Sequence, residues 1–158
     1  MKSSGRTRIT EISFVAIDTQ EIFNLNQKLL GKVETITSHE DVLLMKTFLP
    51  RVWNKLTLCV NPMATIMPDV SRITGLDKYN LTGRTRFDKS TGDLLKAFLS
   101  HLPLPVCLVA HNGNLYDFPL LQAELVKTGV ELGLNIFCVD SYVGIKEIYK
   151  NNMGNLLV

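Results

Sequence analysis

VCLVAHNGNLYDFPLL, Val106 to Leu121, carries more structural information than any other stretch of the chain. Val106 to Ala110 is a short unbroken apolar run, with Pro103 and Pro105 before it and His111-Asn112-Gly113 after it. Such a run reads as a strand buried on both faces of a sheet and ending in a turn. From Asp117 onward, Phe118, Leu120, Leu121 and Leu125 recur at helical spacing. Pro119 suits a first helical turn, and Gly129 supplies a stop. Ligand sites of open α/β sheets lie at the carboxyl ends of strands. The turn and Asp117 are therefore the first place to look for chemistry.

Working outward, ITEISFVAI (Ile9 to Ile17), LTLCV (Leu56 to Val60) and IFCV (Ile136 to Val139) read as three further strands. Asp88 to His101 carries Leu94, Leu95, Phe98 and Leu99 at helical spacing, and Ser141 to Tyr149 carries Val143, Ile145 and Ile148. The segment from Gln20 to Val52 is polar and reads as a loop or insertion with a short helix, a length usually tied to function or mobility. The order is strand, strand, helix, strand, helix, strand, helix, which indicates a mixed α/β sheet flanked by helices. Residues 1–158 show no boundary and read as one domain.

Bulk properties exclude little. A chain of 158 residues with 46% hydrophobic and 20% charged content is ordinary for a globular protein with a real core. A formal charge of +2 does not by itself argue for nucleic acid, and Lys2, Arg6 and Arg8 read as a solvated basic tail. Cys59, Cys107 and Cys138 sit in apolar runs, without a CxxC pair, and read as reduced core thiols of an intracellular protein. There is no secretory leader pattern at Met1 to Thr10 and no apolar run long enough to span a bilayer, so no membrane contact is expected. The Asn80-Leu81-Thr82 sequon reads as chance in that setting.

Two readings of Asp117 stand side by side. An aspartate before Phe-Pro makes a good helix cap, its carboxylate taking free N–H groups and opposing the helix dipole. The same carboxylate at a strand end can hold a metal ion. His111-Asn112-Gly113 is likewise a plain turn or part of a site.

AHNGNLYDFPLLQAEL (Ala110 to Leu125) resembles the second motif of the three-prime repair (TREX) exonucleases, a branch of the DEDDh 3′–5′ exonucleases. KLTLCVNP (Lys55 to Pro62), SRITGL (Ser71 to Leu76), GRTRFD (Gly83 to Asp88) and IFCVDS (Ile136 to Ser141) are similar to family segments in matching order, and ITEISFVAI resembles the family's second strand. The similarity runs from about Arg8 to Lys150. It implies an RNase H-like fold and release of nucleotides from DNA 3′ ends, with two divalent ions, usually Mg²⁺, held by carboxylates. It implies that Asp117 is a metal ligand. It also places His111, Asn112, Tyr116 and Ile73 at the nucleic acid, the last two against the terminal nucleotides, where an aromatic ring and an apolar wedge grip any base. The edge Lys55, Leu56, Thr57, Leu58, Cys59 and Val60 corresponds to the strand through which the family dimerises.

The pattern also departs from the family. The first motif, Asp-x-Glu followed by Thr-Gly-Leu, would fall before Met1, and the third, with the histidine base and last aspartate, beyond Val158. Asp18 and Glu21 are spaced one residue too far apart for the first motif and read as loop carboxylates. His39 and His101 read as surface histidines, and Leu115 stands where the family has a basic residue. The expectation is a partial exonuclease domain lacking its first strand, poorly stable alone, inactive alone, and nuclear or cytoplasmic. The alternative is a non-catalytic isoform that binds DNA or dimerises with an intact exonuclease.

Overall fold

A computed structural model describes residues 7–30 and 49–154. In chain order the described elements are β1 (Glu11–Ile17), α1 (Thr19–Leu30), β2 (Val52–Cys59), α2 (Pro68–Thr74), α3 (Lys78–Leu81), α4 (Lys89–Ser100), β3 (Val106–Ala110), α5 (Asp117–Thr128), β4 (Ile136–Asp140) and α6 (Ser141–Gly154). The chain is thus mixed α/β, as expected. The strands form two pairs, β1 with β2 and β3 with β4.

Residues 13–58 form one compact unit and the rest of the chain another. In the first, Ser13 Oγ meets Thr57 Oγ1 at 2.8 Å across the β1–β2 pair. In the second, the Val60 N–H donates to Thr10 O and the Cys59 thiol to Glu11 Oε2. Partner numbers fall along one strand as they rise along the other, the mark of an antiparallel pair. β2 starts at Val52, four residues earlier than its apolar run, because alternation continues through VWNK.

The larger unit holds the core. Leu95 and Leu99 of α4 and Leu121 and Leu125 of α5 are buried, together with Leu81, Val60, Val106 and Val130. Each pair on α4 and α5 is four residues apart, on one helix face, and each such leucine stabilises by about 1.5–3 kcal/mol on burial. Asp88 caps α4, its carboxylate accepting the Thr91 N–H at 3.2 Å, and Gly129 closes α5 in the left-handed conformation at φ 68°.

Several expectations need correction. The short helix expected within Gln20 to Val52 starts earlier, at Thr19, and runs twelve residues as α1, begun by an Asp18 carboxylate that accepts the Gln20 N–H at 2.7 Å; residues 31–48 of that segment lie outside the described residues. β3 and β4 are not buried on both faces, since Val109, Phe137 and Val139 are exposed. The thiols are free but not core, Cys107 and Cys138 being exposed. Arg8 is no solvated tail residue; it pairs with the buried Glu124 at 3.2 Å. Asn80 of the sequon holds a capping box with Asp77 and donates its amide to Gly75 O at 2.8 Å. The expectation for His39 lies outside the described residues.

Candidate active site

β3 and β4 run parallel, with Val106 opposite Ile136 and Ala110 opposite Asp140. Their carboxyl ends therefore finish level, and the segments leaving the two strands meet each other. β3 leads into the turn from His111 to Tyr116, and β4 leads directly into α6.

Asp140 joins the two. Its side chain is buried, with the residue 6% exposed. Oδ1 accepts the Asn112 N–H at 2.9 Å and the Tyr142 N–H at 3.0 Å, and Oδ2 accepts the Asn114 N–H at 3.1 Å. Burial pushes this carboxyl up, but the N–H groups of Asn114, Tyr142, Val143 and Asn112 outweigh it and hold the group below the usual carboxylate range. Alternate N–H groups of the turn aim at one anion because Asn112 adopts a left-handed φ of 59°, which asparagine tolerates better than most residues. Gly113 is buried between them, and its carbonyl accepts the Phe118 N–H at 2.9 Å, seating the turn on the first turn of α5.

His111 lies on the solvent side of this clamp. Its Nδ1 is 3.4 Å from Ser141 Oγ, whose hydroxyl donates to Ala110 O at 3.3 Å. The ring meets Tyr142 edge-on at 5.5 Å, and Lys146 Nζ sits 4.2 Å from the Tyr142 ring centre. The cation sits by the phenol ring and the imidazole meets that ring edge-on, all three on the side of α6 that adjoins the turn.

Asp117 is treated differently. It is the first helical residue of α5 and not its cap; Tyr116 holds the cap position without a side-chain cap bond. The Asp117 carboxylate is exposed and accepts no hydrogen bond among the described residues. The capping reading is therefore set aside, although a first-turn carboxylate still opposes the helix dipole. Tyr116 is 66% exposed and Ile73, near the end of α2, is 81% exposed. Neither is a core residue; Tyr116 closes the turn and Ile73 lies in α2. Leu115 is exposed too. Asp18 is engaged at the start of α1, and Glu21, in the first turn of that helix and not in a loop, accepts the N–H of the distant Arg51 at 2.9 Å.

Among the described residues no three His, Cys, Asp or Glu side chains come together as a metal site. Asp117 offers one ligand, and Asp140 is taken up by backbone N–H groups, so the residues present do not fit a two-ion centre by themselves. Sequence reasoning missed Asp140. An aspartate directly after a strand and before Ser-Tyr-Val was a helix-start signal that could have found it.

A level pair of parallel strands presenting such a turn beside helices is a site of the α/β class. No family model matches the chain. It is 51% identical over 101 residues to human "Three-prime repair exonuclease 1" and 48% identical over 102 residues to the bovine protein of that name, in each case about 62–63% of this chain and 32% of the relative. To human "Three prime repair exonuclease 2" it is 44% identical over 100 residues, 62% of this chain and 42% of the relative. The resemblance read from the sequence is borne out: the chain is related to the three-prime repair exonucleases, and it spans less than half the length of these curated relatives.

Proposed function

We propose that this chain carries the second carboxylate segment of a 3′–5′ DNA exonuclease that releases nucleotides from DNA 3′ ends, with Asp117 as a divalent-metal ligand. The observation that carries the reading is the state of Asp117, an exposed carboxylate without a partner among the described residues, at a strand-end turn inside AHNGNLYDFPLLQAEL. Tyr116 and Ile73 are assigned to the terminal nucleotides, with His111 and Asn112 beside them; the exposure of the tyrosine and isoleucine supports this.

Because one aspartate leaves a pair of ions underligated, these 158 residues alone are assigned no turnover. Hydrolysis, with Mg²⁺ as the cofactor, is assigned to a chain in which further carboxylates and a histidine base join Asp117. β3–β4 is assigned to a larger RNase H-like sheet containing a strand that is not among the described ones. In support, β3 and β4 pair only with each other among the described strands, which leaves each with an edge that a further strand can take. A homodimer through the outer edge of β2 is part of the same reading, since β2 pairs with β1 alone among the described strands. That edge also supports the second reading, a non-catalytic subunit docked on an intact exonuclease. Co-purification with such a homologue would separate the two readings.

The test extends the chain with the flanking motifs and follows a single-stranded oligonucleotide labelled for 3′ release. Mg²⁺-dependent release is expected from the extended protein, and Asp117→Asn should lower it by at least about a hundredfold. The 158-residue chain should release nothing. An extended protein without Mg²⁺-dependent release, or an Asp117→Asn form as active as its parent, would overturn the assignment.

A further inference from the structure

The larger unit contains a cavity that Asp117 does not line. It measures about 200 Å³ and is lined by Arg8, Ile9, Asn61, Pro62, Met63, Arg86, Phe87 and Glu124. We propose that it is a phosphate site, taking a phosphomonoester attached to a sugar or nucleoside.

The charges at its wall do not balance. Glu124, 3% exposed, is held by Arg8 at 3.2 Å and by Lys127 at 2.9 Å, so its single negative charge already has two cations. Arg86 is the second arginine of the lining and has no ion-pair partner among the described residues. Arg8 and Arg86 against Glu124 leave the lining with one positive charge in excess, and Lys127, outside the lining, adds its own to Glu124, so the wall favours an anion such as a phosphomonoester of about −1.5 to −2 charge. A guanidinium matches phosphate in charge and in the geometry of its paired donors.

The backbone around the cavity is fixed. The Asn61 N–H donates to Thr85 O at 2.9 Å, tying the stretch after β2 to the one that carries Arg86 and Phe87. Asn61 Oδ1 accepts the Met63 N–H at 2.9 Å, which leaves the amide NH₂ of Asn61 without a partner among the described residues. Met63 is held at a φ of 51°, a left-handed conformation unfavourable for a residue with a side chain. Such strain is concentrated at ligand clamps. Ile9, Pro62, Met63 and Phe87 give apolar walls for a sugar or base. The volume lies below the ~300 Å³ at which sites for larger organic ligands begin, so the phosphate and sugar fit and a dinucleotide does not.

The site does not depend on Asp117 or on the exonuclease reading. The probes are inorganic phosphate, deoxyadenosine 5′-monophosphate, deoxyadenosine, and a short single-stranded oligonucleotide without terminal phosphate. They are titrated into the full chain at constant salt while the amide resonances of Met63 and Phe87 are followed. The monophosphate should bind, inorganic phosphate more weakly, and deoxyadenosine hardly at all. Arg86→Ala should weaken the monophosphate at least about tenfold, equivalent to about 1.4 kcal/mol, and Arg86→Lys should weaken it less. Arg72→Ala, whose guanidinium pairs with Asp69 outside the cavity, should change nothing. Circular dichroism and thermal midpoints confirm that the variants are folded. The proposal is overturned if deoxyadenosine binds as well as its monophosphate, or if Arg86→Ala binds as the parent does. Equal losses in Arg86→Ala and Arg72→Ala would reduce the effect to diffuse charge and overturn it as well. An oligonucleotide that binds as tightly as the monophosphate would overturn the monoester assignment.

Discussion

Gly113→Ala is the sharpest probe of how the turn after β3 is built. A methyl group placed on Gly113 would lie 2.7 Å from Phe118 Cε2, 2.8 Å from Ala110 Cβ and 2.9 Å from Phe118 Cζ. Side-chain carbons do not approach this closely, so either the Phe118 ring turns aside or the turn lifts off β3. Overpacking of this size costs about 1–3 kcal/mol. At this chain length each kcal/mol lowers the thermal midpoint by roughly 2–4 °C. The same movement should disturb the neighbouring N–H groups of Asn112 and Asn114, both bound to Asp140, and so shift their amide resonances. Urea and thermal unfolding of the variant and its parent give the magnitude. Adding Phe118→Leu removes the two ring atoms and should recover part of the loss, a coupling that a double-mutant cycle reads directly. The Ala110 contact would remain, so recovery should be incomplete. A Gly113→Ala protein as stable as its parent, with Asn112 and Asn114 unshifted, would refute the argument that this turn is wedged between β3 and α5.

The same packing sets further expectations. Leu99→Ala empties a fully buried position of α4 and should cost about 2–5 kcal/mol by denaturant unfolding. Glu124→Gln removes a buried charge from two cations that remain 36% and 40% exposed; because these can rehydrate, the loss should be about 1–3 kcal/mol, below that of a wholly buried pair. The Asp140 carboxyl is held below its ordinary value, so its contribution is complete above the unfolded pKa of about 3.9 and disappears as pH falls through the lower folded value. The amides of Asn112, Asn114 and Tyr142 should titrate together in that acid range; separate midpoints, or midpoints at or above the ordinary value, would count against the clamp. Asp88 is lowered by its bonds from Ser90 and the Thr91 N–H and should add to the same acid loss. Asp117→Asn should leave unfolding within about 0.5 kcal/mol of the parent, as for a surface group without partners.

The elements with strong periodicity were legible in the sequence. β3, β4, α4 and α5 lie where apolar runs and helical spacing put them, and α6 runs a few residues past its expected end. What failed was any feature decided by local hydrogen bonds or by neighbours outside the run. α1 is polar along much of its length and draws on bonds such as that from the Gln20 amide to Asn24 Oδ1 at 3.2 Å, which hydropathy does not register. α3 is four residues long and is set by an Asp77–Asn80 capping box, with asparagine where glutamate or glutamine is the usual signal. The burial of β3 and β4 was misread because an apolar run records what a strand can cover, not what covers it. In the candidate site the turn and Asp117 were legible from their position after a strand, whereas Asp140 was visible only as part of IFCVDS.

Asp140 and Asp117 show how differently two carboxylates at one strand end can be used. Both follow the parallel strand pair closely, one at the end of β4 and the other past the turn after β3. Asp140 is surrounded by N–H donors from that turn and from α6, so its lone pairs are engaged and it has little left with which to bind a cation. Asp117 has no side-chain partner among the described residues, yet the turn leading to it is fixed at Asn112 and Asn114 by Asp140 and at Gly113 by the Phe118 N–H. A free carboxylate on a pinned turn loses little entropy when a ligand arrives, because its backbone is already ordered. That division separates stability from chemistry. Removing Asp140 should loosen the turn, whereas removing Asp117 should leave the fold in place and take away the one carboxylate at this turn that remains free to bind.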